Sequence, residues 1–302
     1  MRPTDFIDSA LRRSPLQVAA RRVSAGRLAV LAYHAIDDPD SFARQLDYLG
    51  SRCSFVSVDD VITAYESPLP PHPVLVTFDD GHPTVLSEAA PRLKARSIPA
   101  VAFVIAGLVN TTQPAWWDEV KYLHEEGGRT DRVPASGPTE LVRTLKQVTN
   151  EIRLHVLEDL RSTARTPPPT TLQLTASDLV TLEASGIEIG NHTLTHPCLD
   201  RCDTSTIEAE ISGATARLAE MLAHPIRTFA YPNGNHDERC VERADEEGID
   251  LAFLFDHRLA TIPLSDTLRV SRVRVNSHTS IDRLSTIVSG LHPTLHRLRG
   301  RR

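Results

Sequence analysis

Short apolar runs recur along the chain and alternate with stretches in which apolar positions fall three and four residues apart. The runs predict buried strands at 28–34, 53–58, 73–78, 100–105, 187–191, 227–231, 251–255 and 268–275. The spaced pattern predicts helices at 41–50, 59–66, 83–97, 175–185, 204–223 and 236–247. Strands alternating with helices argue for βα units, a mostly parallel sheet and closure into a barrel.

The rhythm breaks at 107–174. Here stand Trp116-Trp117-Asp118-Glu119-Val120, the flexible Glu126-Gly127-Gly128-Arg129, a helical stretch over 140–160 and Thr166-Pro167-Pro168-Pro169-Thr170. The segment reads as an α-helical insertion between two barrel strands, a lid or flank of the kind that supplies specificity on a rigid scaffold. The organisation expected is a helical extension at 1–27, a barrel at 28–278 that carries the insertion at 107–174, and a basic helix or tail at 279–302.

Composition narrows the class. Over 302 residues, 40% are hydrophobic and 24% charged, as in globular proteins, and the length is ordinary for a one-domain barrel. A net charge of −6 offers no footprint for nucleic acid. Arginines gather at the ends: Arg12, Arg13, Arg21 and Arg22 in front, Arg297, Arg299, Arg301 and Arg302 behind. Solvated helices explain them, with peripheral contact to an anionic membrane as the alternative. No apolar run approaches the about 20 residues of a membrane span. The opening Met1-Arg2-Pro3-Thr4-Asp5 lacks a signal-peptide pattern, and the four cysteines form no CxxC pair, so a cytoplasmic protein is expected.

Candidate chemistry sits directly after two predicted strands, where barrel enzymes keep their active groups. Thr77-Phe78-Asp79-Asp80-Gly81 offers two adjacent carboxylates, which a turn can bring into one pocket. Asn191-His192-Thr193-Leu194-Thr195-His196-Pro197 offers two imidazoles four apart, the spacing of neighbours on one helical turn. One carboxylate and two histidines form a three-ligand set that leaves metal positions open, with the second carboxylate free to act as a base. Cys198 and Cys202 follow closely, but a hard, open site favours the carboxylate. This pattern points to a metal-dependent hydrolase.

These two motifs, followed in order by Phe229-Ala230-Tyr231-Pro232-Asn233-Gly234, resemble the polysaccharide deacetylases of carbohydrate esterase family 4. Leu31-Ala32-Tyr33-His34 resembles the N-terminal Tyr-His element of one branch of that family. The resemblance implies an α/β fold, an incomplete, distorted (β/α) barrel of roughly seven strands, which agrees with the strand count. It implies that Asp79 is the base and that Asp80, His192 and His196 bind one divalent metal, with zinc expected. Such an ion lowers the pKa of bound water towards about 7 and polarises a carbonyl oxygen.

The general acid falls on His34 by the branch pattern, with His278 as the competitor from the commoner C-terminal position. Tyr231 and Asn233 are expected to contact substrate, the latter through a backbone N–H aimed at the oxyanion. Ala230 stands where the commoner pattern has an arginine that orients the base, so Arg272 or Arg274 must replace it. A sugar's apolar face stacks on an aromatic ring, which puts Trp117 in the substrate cleft and leaves Trp116 to anchor the insertion. His82 is expected at the surface. The function implied is N-deacetylation of an acetylated amino sugar. An amidohydrolase for a formamide or cyclic imide is the second reading, and a decayed glycan-binding module the third.

Overall fold

The computed structural model describes residues 3–294. Nine strands form one sheet: β1 (Arg27–Tyr33), β2 (Ser54–Phe55), β3 (Pro73–Phe78), β4 (Ala100–Val104), β5 (Ile187–Asn191), β6 (Thr228–Ala230), β7 (Leu251–Phe253), β8 (Ala260–Thr261) and β9 (Val273–Arg274). Their order is β7-β6-β5-β4-β3-β1-β8, with β2 beside β3 and β9 beside β1. Seven strands, from β9 through β1, β3, β4, β5 and β6 to β7, run parallel and curl into a half-barrel; β8 alone is antiparallel.

The residues of β1, β3 and β4 are buried almost without exception because helices cover the outer face and side chains fill the inner one. The predicted strands at 73–78 and 187–191 coincide with β3 and β5. The one predicted at 268–275 shrinks to two residues, because this stretch changes partner as it runs. Val270 bridges Phe253 of β7, and β9 then pairs with β1. The seam of the barrel is thus closed by an irregular segment, which makes the barrel incomplete and distorted.

Among the described residues twelve α-helices accompany the sheet: α1 (Pro3–Arg12), α2 (Pro15–Val23), α3 (Pro39–Gly50), α4 (Val58–Ile62), α5 (Ala90–Lys94), α6 (Trp116–Glu125), α7 (Pro138–Leu145), α8 (Asn150–Thr163), α9 (Ala176–Glu183), α10 (Thr204–Leu222), α11 (Glu238–Glu246) and α12 (Ile281–Val288). The helix predicted over 83–97 is a π-turn, Val85–Ala89, followed by α5. Pro91 has no N–H to give an uninterrupted α-ladder, and a π-turn absorbs the fault.

Helices α6, α7 and α8 share a small core of their own, built from Val120, Leu123, Leu141, Leu145, Val156 and Leu160. The single helix expected over 140–160 is two helices. The break at 146–149 is made by Thr149, whose hydroxyl accepts from the N–H of Ile152 and starts α8 afresh.

Helices α1 and α2 lie against α12. Arg12 pairs with Asp282 at 2.6 Å, and Gln17 donates to the carbonyl of Ser285. Arg297, Arg299, Arg301 and Arg302 lie outside the described residues. Among the described residues no helix is long and apolar enough to cross a membrane.

Candidate active site

Strand register sets the site. Tyr33 of β1 pairs with Phe78 of β3, and the N–H of Asp79 donates to the carbonyl of Tyr33. His34 and Asp79 therefore leave neighbouring strands side by side. Val104 pairs with Asn191, and the N–H of His192 donates back to Val104. The strands end level, so whatever follows them shares one rim.

The chain turns sharply after Asp79. Asp80 takes φ 69° and Gly81 φ 65°, the left-handed region that aspartate tolerates and glycine favours. This turn brings both carboxylates to one cleft of about 270 Å³, as the adjacent pair requires.

The histidines also meet, though not by the route their spacing suggests. Residues 192–197 form a loop, with Thr193 at φ 67° and His196 at φ 57°, and the helical turn expected there is absent. Side chains pin the loop. Asn191 accepts from the N–H of Thr193, and the Thr193 hydroxyl accepts from the N–H of His196. Glu210 of α10, itself buried, accepts from the N–H groups of Leu194 and Thr195 and from the Thr195 hydroxyl. Gly107 packs against the same loop, where a Cβ would stand 2.3 Å from the Leu194 carbonyl oxygen. The two imidazole rings end 4.8 Å apart.

Three ligand atoms from Asp80, His192 and His196 lie within 4.8 Å of one another, the one such cluster among the described residues. The Nε2 atoms of both histidines stand 3.5 Å from Oδ1 of Asp80. Nδ1 of His192 is 2.7 Å from the Ala230 carbonyl oxygen, which can only accept. In a neutral ring the proton therefore sits on Nδ1, and Nε2 turns a lone pair towards Asp80. Oδ1 of Asp80 is buried without a hydrogen bond. Acceptors converging on one point with no donor between them suit a divalent cation, and two nitrogens with one oxygen are a donor set zinc accepts.

The electrostatics agree. Burial opposes ionisation of Asp80, but the imidazoles of His192, His196 and His34 outweigh it and hold the carboxyl below its ordinary range. Burial pushes His196 down to about 3, so this ring is neutral and able to offer a lone pair. Cys198 and Cys202 are not in the cluster. Burial raises both thiols, Cys202 to about 12, which leaves them unlike thiolate ligands.

Asp79 lies beside this cluster and is bound by Arg272 through two hydrogen bonds of 2.6 and 2.9 Å, with the guanidinium wholly buried. Burial alone would raise the Asp79 carboxyl; Arg272, His192 and His34 outweigh it and hold it down. Of the two arginines expected in place of the one missing at Ala230, it is Arg272 that reaches Asp79. Arg274 is exposed at the rim. His34 lines the cleft with Nε2 3.9 Å from Oδ2 of Asp80, whereas His278 is mostly exposed, 3.7 Å from Asp38, and does not line it.

Trp117 lines the cleft with its ring 4.8 Å from that of His196. Trp116 is buried, and its indole N–H donates to the His196 carbonyl, which fastens the insertion to the loop. Asn233, at φ 55°, also lines the cleft. Tyr231 does not. Its side chain is fully buried and its hydroxyl donates to the carbonyl of Leu268, so the substrate contact expected of it falls away. Strand alternation turned its ring outward into the packing under α11. His82 is at the surface, bonded to Thr84.

Four residues of the cleft carried no sequence signal: Lys121, Val142, Lys146 and Phe255. Lys146, at the end of α7, donates to Oδ1 of Asn233 at 2.6 Å, and Phe255 sets its ring 6.1 Å from His34. None of the four lies in a motif. Lys146 is placed by the break between α7 and α8.

The chain belongs to the polysaccharide deacetylase family, which matches it over residues 66–155 and 130–252. Solved structures of similar fold include the deacetylase PplD of Streptococcus pyogenes in complex with acetate. It is 19% identical, covering 87% of this chain and 99% of that one, with a TM-score of 0.61. IcaB from Ammonifex degensii is 24% identical, covering 88% and 97%, with a TM-score of 0.60. A de-N-acetylase from Aggregatibacter actinomycetemcomitans is 17% identical, covering 86% and 99%, with a TM-score of 0.61. At these identities the likeness is one of fold. No curated protein sequence matches the chain.

Proposed function

We propose that the protein is a metal-dependent N-deacetylase that hydrolyses the acetamido group of an amino sugar, within a glycan, a lipid-linked sugar or a small glycoside. One observation carries this reading. A carboxylate clamped by a buried arginine, Asp79 with Arg272, stands next to a converging Asp80–His192–His196 set in a single cleft.

A zinc or similar ion held by Asp80, His192 and His196 would supply Lewis acidity, which acidifies water and polarises the acetamide carbonyl. Asp79, kept ionised by Arg272, accepts the proton of the attacking water. The backbone N–H of Asn233 serves the oxyanion. His34 hands a proton to the departing amine as the C–N bond breaks, and acetate and a free amino sugar result. Trp117 supports the ring of the sugar.

The four thiols, three of them buried, are all free, which suits a reducing compartment and a cytoplasmic location. Peripheral contact with an anionic membrane belongs to the same reading, since α2 joins Arg21 and Arg22 to exposed Leu16, Val18 and Val23.

The test is acetate release from acetamido sugars by zinc-loaded and chelator-stripped protein. Release that is lost on stripping and restored by zinc supports the reading. Formate release from N-formyl substrates without acetate from any acetamido sugar would favour the other amidohydrolase instead.

A further inference from the structure

The charges around the cleft do not balance. Asp79 is paired with Arg272, and Asp80 belongs to the converging set with His192 and His196 that suits a cation. Three further cations line the same space: Lys121, Lys146 and Arg274. Lys121 is matched by Asp118 at 2.9 Å. Among the described residues no ion pair joins Lys146 or Arg274 to an acid.

Lys146 is the unusual one. It is partly buried, and a buried ammonium without a counter-ion is costly. Burial lowers its pKa; Cys198 and Asp80 oppose the fall, while Arg274 and Lys121 add to it, so Lys146 senses both the metal-side carboxylate and the other two cations. Of its three donors, one goes to the amide oxygen of Asn233, a neutral acceptor. Nothing about a neutral acetamide calls for such a group. The insertion delivers Lys146 from the end of α7 and Trp117 from the start of α6, while β9 delivers Arg274 from the barrel to the same cleft. A sugar resting on Trp117 would share the cleft with both cations.

We propose that the cleft selects an acetamido sugar that also bears an anionic group, a carboxylate or a phosphate, held between Lys146 and Arg274. This inference rests on the deacetylase reading and adds the substrate class to it. Lys146 and Arg274 are specificity residues; the reacting atoms belong to the groups around Asp79 and Asp80.

The experiment compares kcat/KM for acetate release from N-acetylglucosamine, N-acetylglucosamine 6-phosphate and N-acetylmuramic acid. At least one anionic sugar should exceed the neutral one by about tenfold or more, the scale of one hydrogen bond to a charged group. Which one it is tells phosphate from carboxylate. Added salt should erode the advantage. Lys146→Met should remove most of it through KM, and Lys146→Arg should restore part. Arg274→Gln, at an exposed position, gives the same reading should Lys146→Met fail to fold. Equal use of neutral and anionic sugars overturns the inference and leaves the deacetylase reading standing, as does an advantage that survives both variants. Acetate release from none of the three sugars, nor from an acetylated glycan or a lipid-linked acetamido sugar, overturns both.

Discussion

Arg272 holds Asp79 with both arms of its guanidinium, at 2.6 and 2.9 Å, the guanidinium wholly buried and the carboxylate open only to the cleft. The arginine stands between the rings of Phe103, Phe253 and Phe255, at 5.2 to 6.0 Å, and its Nε donates to the Leu254 carbonyl. It is therefore fixed before it orients the carboxylate.

Removing the arginine should cost more than activity. Arg272→Met leaves a buried, unpaired carboxylate, a loss of about 3–5 kcal/mol. The double variant Arg272→Met, Asp79→Leu should recover much of that, because a packed apolar pair can replace a buried ion pair. Urea unfolding checks both; equal stability of single and double variants would contradict the pairing. The pH dependence has a definite sign. The folded pKa of Asp79 is depressed, so the pair's contribution is full above the ordinary carboxylate value of about 3.9 and is lost as pH falls through the folded value. Arg272→Met should flatten that acid limb.

Glu210 touches no substrate, yet it should govern metal binding. Its carboxylate takes the N–H groups of Leu194 and Thr195 that shape the loop before His196. Glu210→Gln would turn an NH2 or a weaker acceptor to the same donors. Zinc affinity should fall about 10–100-fold, as when the groups behind a metal ligand are altered. Competition with a chromogenic chelator measures it, and unchanged affinity would show that the loop holds itself.

The two candidate acids separate cleanly by position. His34→Ala should depress kcat by about 10²–10⁴-fold with zinc retained, the usual worth of a general acid. His278→Ala, at a mostly exposed site near Asp38, should change it little. The reverse ranking would move the acid to the C-terminal end and leave His34 as a rim residue.

The sequence reveals the site better than it reveals what surrounds it. β3 is legible because a strand covered on both faces is almost entirely apolar, β5 because Ile187 and Ile189 alternate along it, and chemistry at their ends follows from the barrel. The meeting of His192 and His196 is legible, its cause less so. Spacing suggests a helix, whereas the loop depends on Asn191, Thr193 and a glutamate on a distant helix. The seam strand is obscured because Val270 and Val273 answer to different neighbours. Tyr231 sits inside a motif, but strand alternation turns it away from the cleft. Lys146 left no trace, since an insertion with its own core fixes where a helix ends without any repeat in the barrel pattern.

In the proposed reaction Asp79 takes a proton while Asp80, His192 and His196 hold the metal. Asp79→Asn separates these roles when zinc content and acetate release are measured on the same preparation. The amide keeps the shape of the carboxylate and cannot accept the proton. Zinc should stay near one equivalent while kcat falls by about 10²–10⁴-fold. Undiminished kcat at full zinc occupancy would contradict the account.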